Sequence, residues 1–135
     1  MKLSKAFIDT NVILYALEMH PVFGEKAVQV LEMVDKGEIV GFISALVDLE
    51  LCWFLESRKR VDEISLVLDV VQGSMLEIVA ITGEDVLAAG KLKQKFPMVE
   101  INDLVNLCVM KRLELTMIYT NDKHFDGFSD INPVF

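Results

Sequence analysis

The chain has 135 residues, 53 % hydrophobic and 25 % charged, which fits a single globular domain over residues 1–135 and excludes a disordered chain. No apolar run approaches the roughly 18 residues that span a bilayer, and "MKLSKAFIDTNV" has no signal-peptide pattern, so a cytoplasmic protein without membrane contact is expected. A net charge of −8 opposes non-specific attachment to a nucleic-acid backbone, which is itself an anion.

In chain order, "KAFI" (5–8) reads as a short buried strand and "DTNVILYALEM" as a helix broken at His20-Pro21. "GEKAVQVLEMVDKG" follows as an amphipathic helix ending at Gly37, and "IVGFI" (39–43) as a second strand. "SALVDLELCWFLESR" (44–58) opens on Ser44 as an N-cap and is apolar nearly all round, which predicts a buried helix. "VDEISLVLDVVQG" (61–73) is another helix, and "LEIVAI" (76–81) a third strand. Thr82 caps "GEDVLAAGKLKQKF", which Pro97 stops, and "INDLVNLCVMKRLEL" (101–115) is again helical. "TMIYT" (116–120) is the fourth strand, with "INPVF" a short fifth. Strands alternating with helices predict an α/β fold: a three-layer α/β/α sandwich around a parallel sheet of four to five strands.

Cys52 and Cys108 lie in apolar helical patterns with no metal-ligand spacing, and read as buried reduced thiols. The two histidines, His20 and His124, are far apart, which argues against a His-based zinc site. Basic residues gather at Arg58, Lys59 and Arg60, at Lys91, Lys93 and Lys95, and at Lys111, Arg112 and Lys123. They are solvated helix ends or, if a phosphodiester binds, its backbone contacts.

Four carboxylates fall at one end of the predicted sheet. Asp9 directly follows strand one, and Asp122 follows strand four in "YTNDKHFD". In open parallel sheets ligands bind beyond the carboxyl ends of the strands, where strand order reverses, so neighbouring first and fourth strands would bring these acids together. Glu50 has Leu46, Val47, Trp53 and Phe54 at helical spacing, costly surroundings for a carboxylate without a cation or a metal. Asp103 opens a helix, where the macrodipole favours an acid by roughly 0.3–1 kcal/mol. Each has a structural explanation alone: a cap for Asp9, a turn for Asp122, a salt bridge for Glu50, the dipole for Asp103. Together, acids sharing one site need a counterion, and oxygen-rich clusters suit Mg²⁺ or Mn²⁺.

In this order and spacing, "FIDTNVILYAL", "ISALVDLEL", "INDLVNLCVMKRLEL" and "YTNDKHFD" resemble the PIN-domain nucleases, particularly the small VapC-type toxins, over nearly the whole chain. The resemblance places the family's acidic site, catalytic and metal-binding, on Asp9, Glu50, Asp103 and Asp122. Supporting polar positions would be Thr10, Asn11, Ser44, Thr120 and Asn121, with Asp126 as an extra acid. It implies a Mg²⁺- or Mn²⁺-dependent ribonuclease, a strand order 3-2-1-4-5, commonly a homodimer, and often a separately encoded antitoxin as partner. One departure is Leu104, where members often carry a small residue after the third acid; the larger side chain is expected to reshape the mouth of the site.

Three rival readings are weaker. A haloacid-dehalogenase-type phosphatase needs a second Asp where this chain has Asn11. A receiver-type signalling domain needs an acceptor Asp after strand three, where Thr82-Gly83 stands. A catalytically silent PIN-like module that binds RNA or a partner protein is the alternative that fits the same fold, with the intact acids against it. For assembly, the apolar faces of "AVQVLEMV" and "ISLVLDVV" predict a two-fold dimer through helices of the first half.

Overall fold

Five short strands form one parallel sheet in the computed structural model, which describes residues 3–135. They are β1 (Ser4–Ile8), β2 (Ile39–Ser44), β3 (Glu77–Val79), β4 (Met117–Tyr119) and β5 (Asn132–Val134), ordered β3-β2-β1-β4-β5. α1 (Thr10–Leu17) and α2 (Gly24–Asp35) connect β1 to β2; α3 (Ala45–Ser57) and α4 (Ile64–Gly73) connect β2 to β3. α5 (Gly83–Lys95) and α6 (Ile101–Arg112) run from β3 back across to β4. Right-handed crossovers in opposite directions place helices on opposite faces. α1 to α4 therefore cover one face and α5 with α6 the other, giving the three expected layers.

The centre of the sheet explains its order. Ala6, Phe7 and Ile8 of β1 are fully buried, as a strand covered on both faces requires. β1 pairs with β2 through Ala6↔Gly41 and Phe7↔Phe42, and with β4 through Phe7↔Ile118 and Ile8↔Tyr119. Gly41 admits close packing, because a Cβ there would come within 2.8 Å of the Val34 side chain. Leu104 to Met110 of α6 are all buried, making this helix the core of its layer. Pro133 sits in β5, where an edge strand tolerates the missing N–H.

Boundaries differ from the sequence reading for physical reasons. β3 is shorter than 76–81 because Glu77–Val79 pair with Phe42–Ser44, where β2 ends. α6 stops at Arg112, and Glu114 then takes a left-handed φ of 58°. A 3-10 turn (Val61–Glu63) precedes α4, and a second (Lys123–Gly127) follows β4.

Three expectations about packing need correcting. α3 is not buried all round: Leu49 is 46 % exposed and Trp53 47 %, while Val47, Leu51 and Leu55 face the core. The apolar stripe of α2 (Ala27, Val30, Val34) points into the core and offers little surface, whereas α4 leaves Leu66 and Val70 exposed. Cys108 is buried but Cys52 only half so; both are free thiols.

Candidate active site

The reversal of strand order lies between β1 and β4, and Asp9 leaves β1 at that point. Its backbone N–H donates to the Tyr119 carbonyl (3.0 Å), which fixes the residue beside the end of β4. Asp9 holds the N-cap position of α1 but makes no side-chain capping bond. Instead its carboxylate accepts a hydrogen bond from the Thr120 hydroxyl (2.7 Å), and the Thr120 oxygen in turn accepts from the Asp122 N–H (3.0 Å). The capping explanation of Asp9 therefore fails. For Asp122 the turn explanation holds, since its carboxylate accepts from the His124 N–H (2.9 Å) and caps the 3-10 turn.

α3 and α6 bring the other two acids. Glu50, in the second turn of α3, accepts a hydrogen bond from the Thr10 hydroxyl (2.8 Å), so α1 holds it in place. Asp103 is in the first turn of α6, and the buried Leu104 after it points into the core. Leu104 therefore does not line the mouth of the site. Five carboxylates (Asp9, Glu50, Glu100, Asp103, Asp122) share a cavity of ≈ 380 Å³ with Thr10, Asn11, Leu14, Trp53 and His124. Among the described residues, no lysine or arginine lines it.

Crowding without a cation shapes the electrostatics. Burial, then the charges of Asp9 and Asp122, push the Asp103 carboxyl up to about 8. Burial raises Asp9 to about 6, against the Thr120 hydrogen bond and helped by the Glu50 charge. Glu50 is raised too, chiefly by burial, while Thr10 and Asn102 hold it down by hydrogen bonding and Glu100 pushes it up. Side-chain ligand atoms of Asp103, Asp122 and His124 lie within 4.8 Å of one another. At that spacing two carboxylates repel by roughly 3–4 kcal/mol at an effective dielectric near 20. A set of carboxylates with one imidazole, open to solvent on one side, fits a hard divalent cation that keeps several waters.

Several expected site residues sit elsewhere. The Ser44 side chain makes no capping bond; it is fully buried and its hydroxyl donates to Asn106 Oδ1 (2.5 Å), tying β2 to α6 one turn beyond Asp103. Asn121 and Asp126 do not line the acidic cavity; with Lys123 and Phe135 they border an adjoining pocket that shares Asp122 with it and also takes in Thr120. At least one member of each basic cluster is engaged within the fold. Arg60 pairs with Glu18 and Glu63, Arg112 with Asp85, and Lys93 donates to the Pro97 and Val99 carbonyls. Sequence reasoning missed Trp53 as a lining residue, Glu100, Asn102, Asn106 and His124. Asn102 and Asn106 had a signal: polar side chains four apart in an apolar helix, flanking Asp103.

Among curated proteins, none matches the chain in sequence. Solved structures do match in fold. VapBC2 from Rickettsia felis, bound to a DNA fragment from its promoter, is 21 % identical and superposes with a TM-score of 0.75 over 96 % of this chain and 97 % of that one. VapC20 from Mycobacterium tuberculosis, a sarcin–ricin loop cleaving toxin, is 16 % identical with a TM-score of 0.75, covering 96 % and 100 %. DNA-bound VapBC from Salmonella typhimurium is 16 % identical, with a TM-score of 0.74 and 98 % of each chain covered. The PIN domain family model matches residues 6–130, nearly the whole chain, and the chain belongs to that family.

Proposed function

We propose that this chain is a metal-dependent endoribonuclease that hydrolyses single-stranded RNA, acting in the cytoplasm as the toxin of a toxin–antitoxin pair. The observation that carries the reading is the convergence of Asp9, Glu50, Asp103 and Asp122 from four different elements on one cavity that, among the described residues, no lysine or arginine lines. Fold likeness to VapC20, a sarcin–ricin loop cleaving toxin, and to VapBC assemblies supports the toxin assignment. An apolar groove of ≈ 390 Å³ between α1, α2 and α4, bordered by Leu17, Leu66 and Val70, supports a protein partner such as an antitoxin. The exposed α4 face also supports a homodimer.

In this mechanism Asp9, Asp103 and Asp122 would hold Mg²⁺ or Mn²⁺, and Glu50 would either join them or orient the attacking water. Such an ion would supply positive charge at the scissile phosphate and a water made nucleophilic at neutral pH. The chain's part is positioning: the Thr120 hydroxyl fixes the Asp9 carboxylate, and the Thr10 hydroxyl fixes Glu50. In-line attack leaves a 5′-phosphate and a 3′-hydroxyl. The substrate 2′-OH has no required role, so slow cleavage of single-stranded DNA is consistent with it.

Purified protein with Mn²⁺ is expected to cut an end-labelled single-stranded RNA and to stop on addition of EDTA. Asp103→Asn is expected to lower the rate by more than about 100-fold, since losing an outer-shell partner alone costs ~10–100-fold. Products ending in 2′,3′-cyclic phosphate, or cutting that survives EDTA, would overturn the water-attack mechanism.

A further inference from the structure

Trp53 is the only tryptophan of the chain, and it is 47 % exposed. It stands one turn beyond Glu50 on α3 and lines the cavity that holds the acids. A half-exposed indole leaves a large apolar face in water, which its packing in the fold does not account for. The charged groups lining the cavity are carboxylates, so they repel a bare phosphate. A nucleobase is neutral, and its π-face can rest on the indole.

We infer that Trp53 is a stacking platform for an unpaired base beside the scissile phosphodiester; this rests on the nuclease reading above. β2, which leads into α3, and β4, which leads to Asp122 and His124, flank β1 on opposite sides. Asp9, at the end of β1, thus lies between the platform and the β4 turn that carries Asp122, and a strand that rests a base on Trp53 carries its phosphate over Asp9. In a duplex both faces of each base are already stacked on neighbours, so the indole accepts only a single-stranded or splayed base. The platform selects the substrate class, and base–aromatic stacking supports that role without hydrogen-bonded sequence readout.

Two measurements test the platform. Trp53→Ala is expected to raise KM for single-stranded RNA roughly 5- to 150-fold, the range that base stacking covers, while kcat falls far less. Trp53→Phe is expected to regain most of that loss. In the full chain carrying Asp103→Asn, which blocks turnover, the single indole reports binding directly. Its fluorescence is expected to be quenched saturably by a short single-stranded oligonucleotide and not by the same sequence in a duplex. Wild-type cleavage with an unchanged KM in Trp53→Ala and no quenching would overturn the platform and leave the nuclease reading standing. Quenching by single strands in a protein that never cleaves RNA would keep the platform and remove the nuclease reading. Emission that changes only with protein concentration would make Trp53, with the exposed Leu49 four residues before it, a contact between copies and overturn the proposal.

Discussion

Asp85 and Asp9 are each only 5 % exposed, yet their chemistry runs in opposite directions. Burial opposes ionisation of Asp85, but the Arg112 guanidinium and the Thr82 capping box outweigh it and hold the carboxyl below its usual value. Arg112 Nη2 lies 3.0 Å from Asp85 and also donates to the Ala80 carbonyl (2.7 Å). At Asp9 burial leads, the Thr120 hydroxyl and the Thr10 N–H only partly offset it, and the charges of Glu50 and Asp122 add to it, so the carboxyl rises. At Asp85 the chain supplies a cation; at the switch point of the sheet it supplies further carboxylates. Buried charge left uncompensated by the protein itself is the physical mark of a site awaiting something from outside.

The largest way to sharpen that contrast is pH. Asp9 and Asp103 keep their protons in the folded state up to about 6 and about 8, while an unfolded aspartate releases its proton near 3.8. The folded state therefore binds more protons between these limits, and in EDTA stability is expected to fall as pH rises from about 4 to about 8. For Asp9 alone the shift corresponds to roughly 3 kcal/mol as an upper figure. Asp85, with its lowered pKa, contributes the reverse: stability present above the unfolded value and lost as pH falls through the folded one. Denaturant midpoints measured across this range with EDTA should show the decline, and Mn²⁺ should reduce it; a flat EDTA profile would contradict the crowding of the acids.

A smaller effect is expected at the compensated acid. Arg112→Met leaves Asp85 buried with only its cap, and should cost about 1–2 kcal/mol, moderated because the guanidinium is partly exposed. Thermal melts should show that loss in EDTA and in Mn²⁺ alike, since Asp85 does not line the acidic cavity. A loss confined to the Mn²⁺ condition would mean that the two acid regions are not independent.

Much of this layout was legible in the sequence. Asp9 follows an apolar run too short to be anything but a strand, and parallel β/α alternation fixes which end of the sheet it occupies. The Thr82 cap was equally readable, because Asp85 completes the box three residues on. Local pattern failed where long-range contacts decide. Ser44 reads as a cap, but Asn106, 62 residues away, takes its hydroxyl. Trp53 and Leu49 read as core in a helix that is apolar nearly all round, since the one acid on their exposed side, Glu56, comes only in its last turn. Asn121 and Asp126 sit close to Asp122 in sequence, yet they line the adjoining pocket on its far side while His124 joins the acids.

The central claim is that Asp9 is an uncompensated acid of a metal site, and replacing it with Asn tests this most directly. Asn keeps an oxygen to accept the Thr120 hydrogen bond, so the substitution removes charge with little change of shape. Melting temperatures of parent and Asp9→Asn would be compared at pH 8 in EDTA and in Mn²⁺. The expected result is a higher melting temperature for Asp9→Asn in EDTA, as repulsion is relieved, and a smaller upward shift on adding Mn²⁺. An Asp9→Asn protein that melts no higher than the parent in EDTA and gains as much from Mn²⁺ would contradict the account.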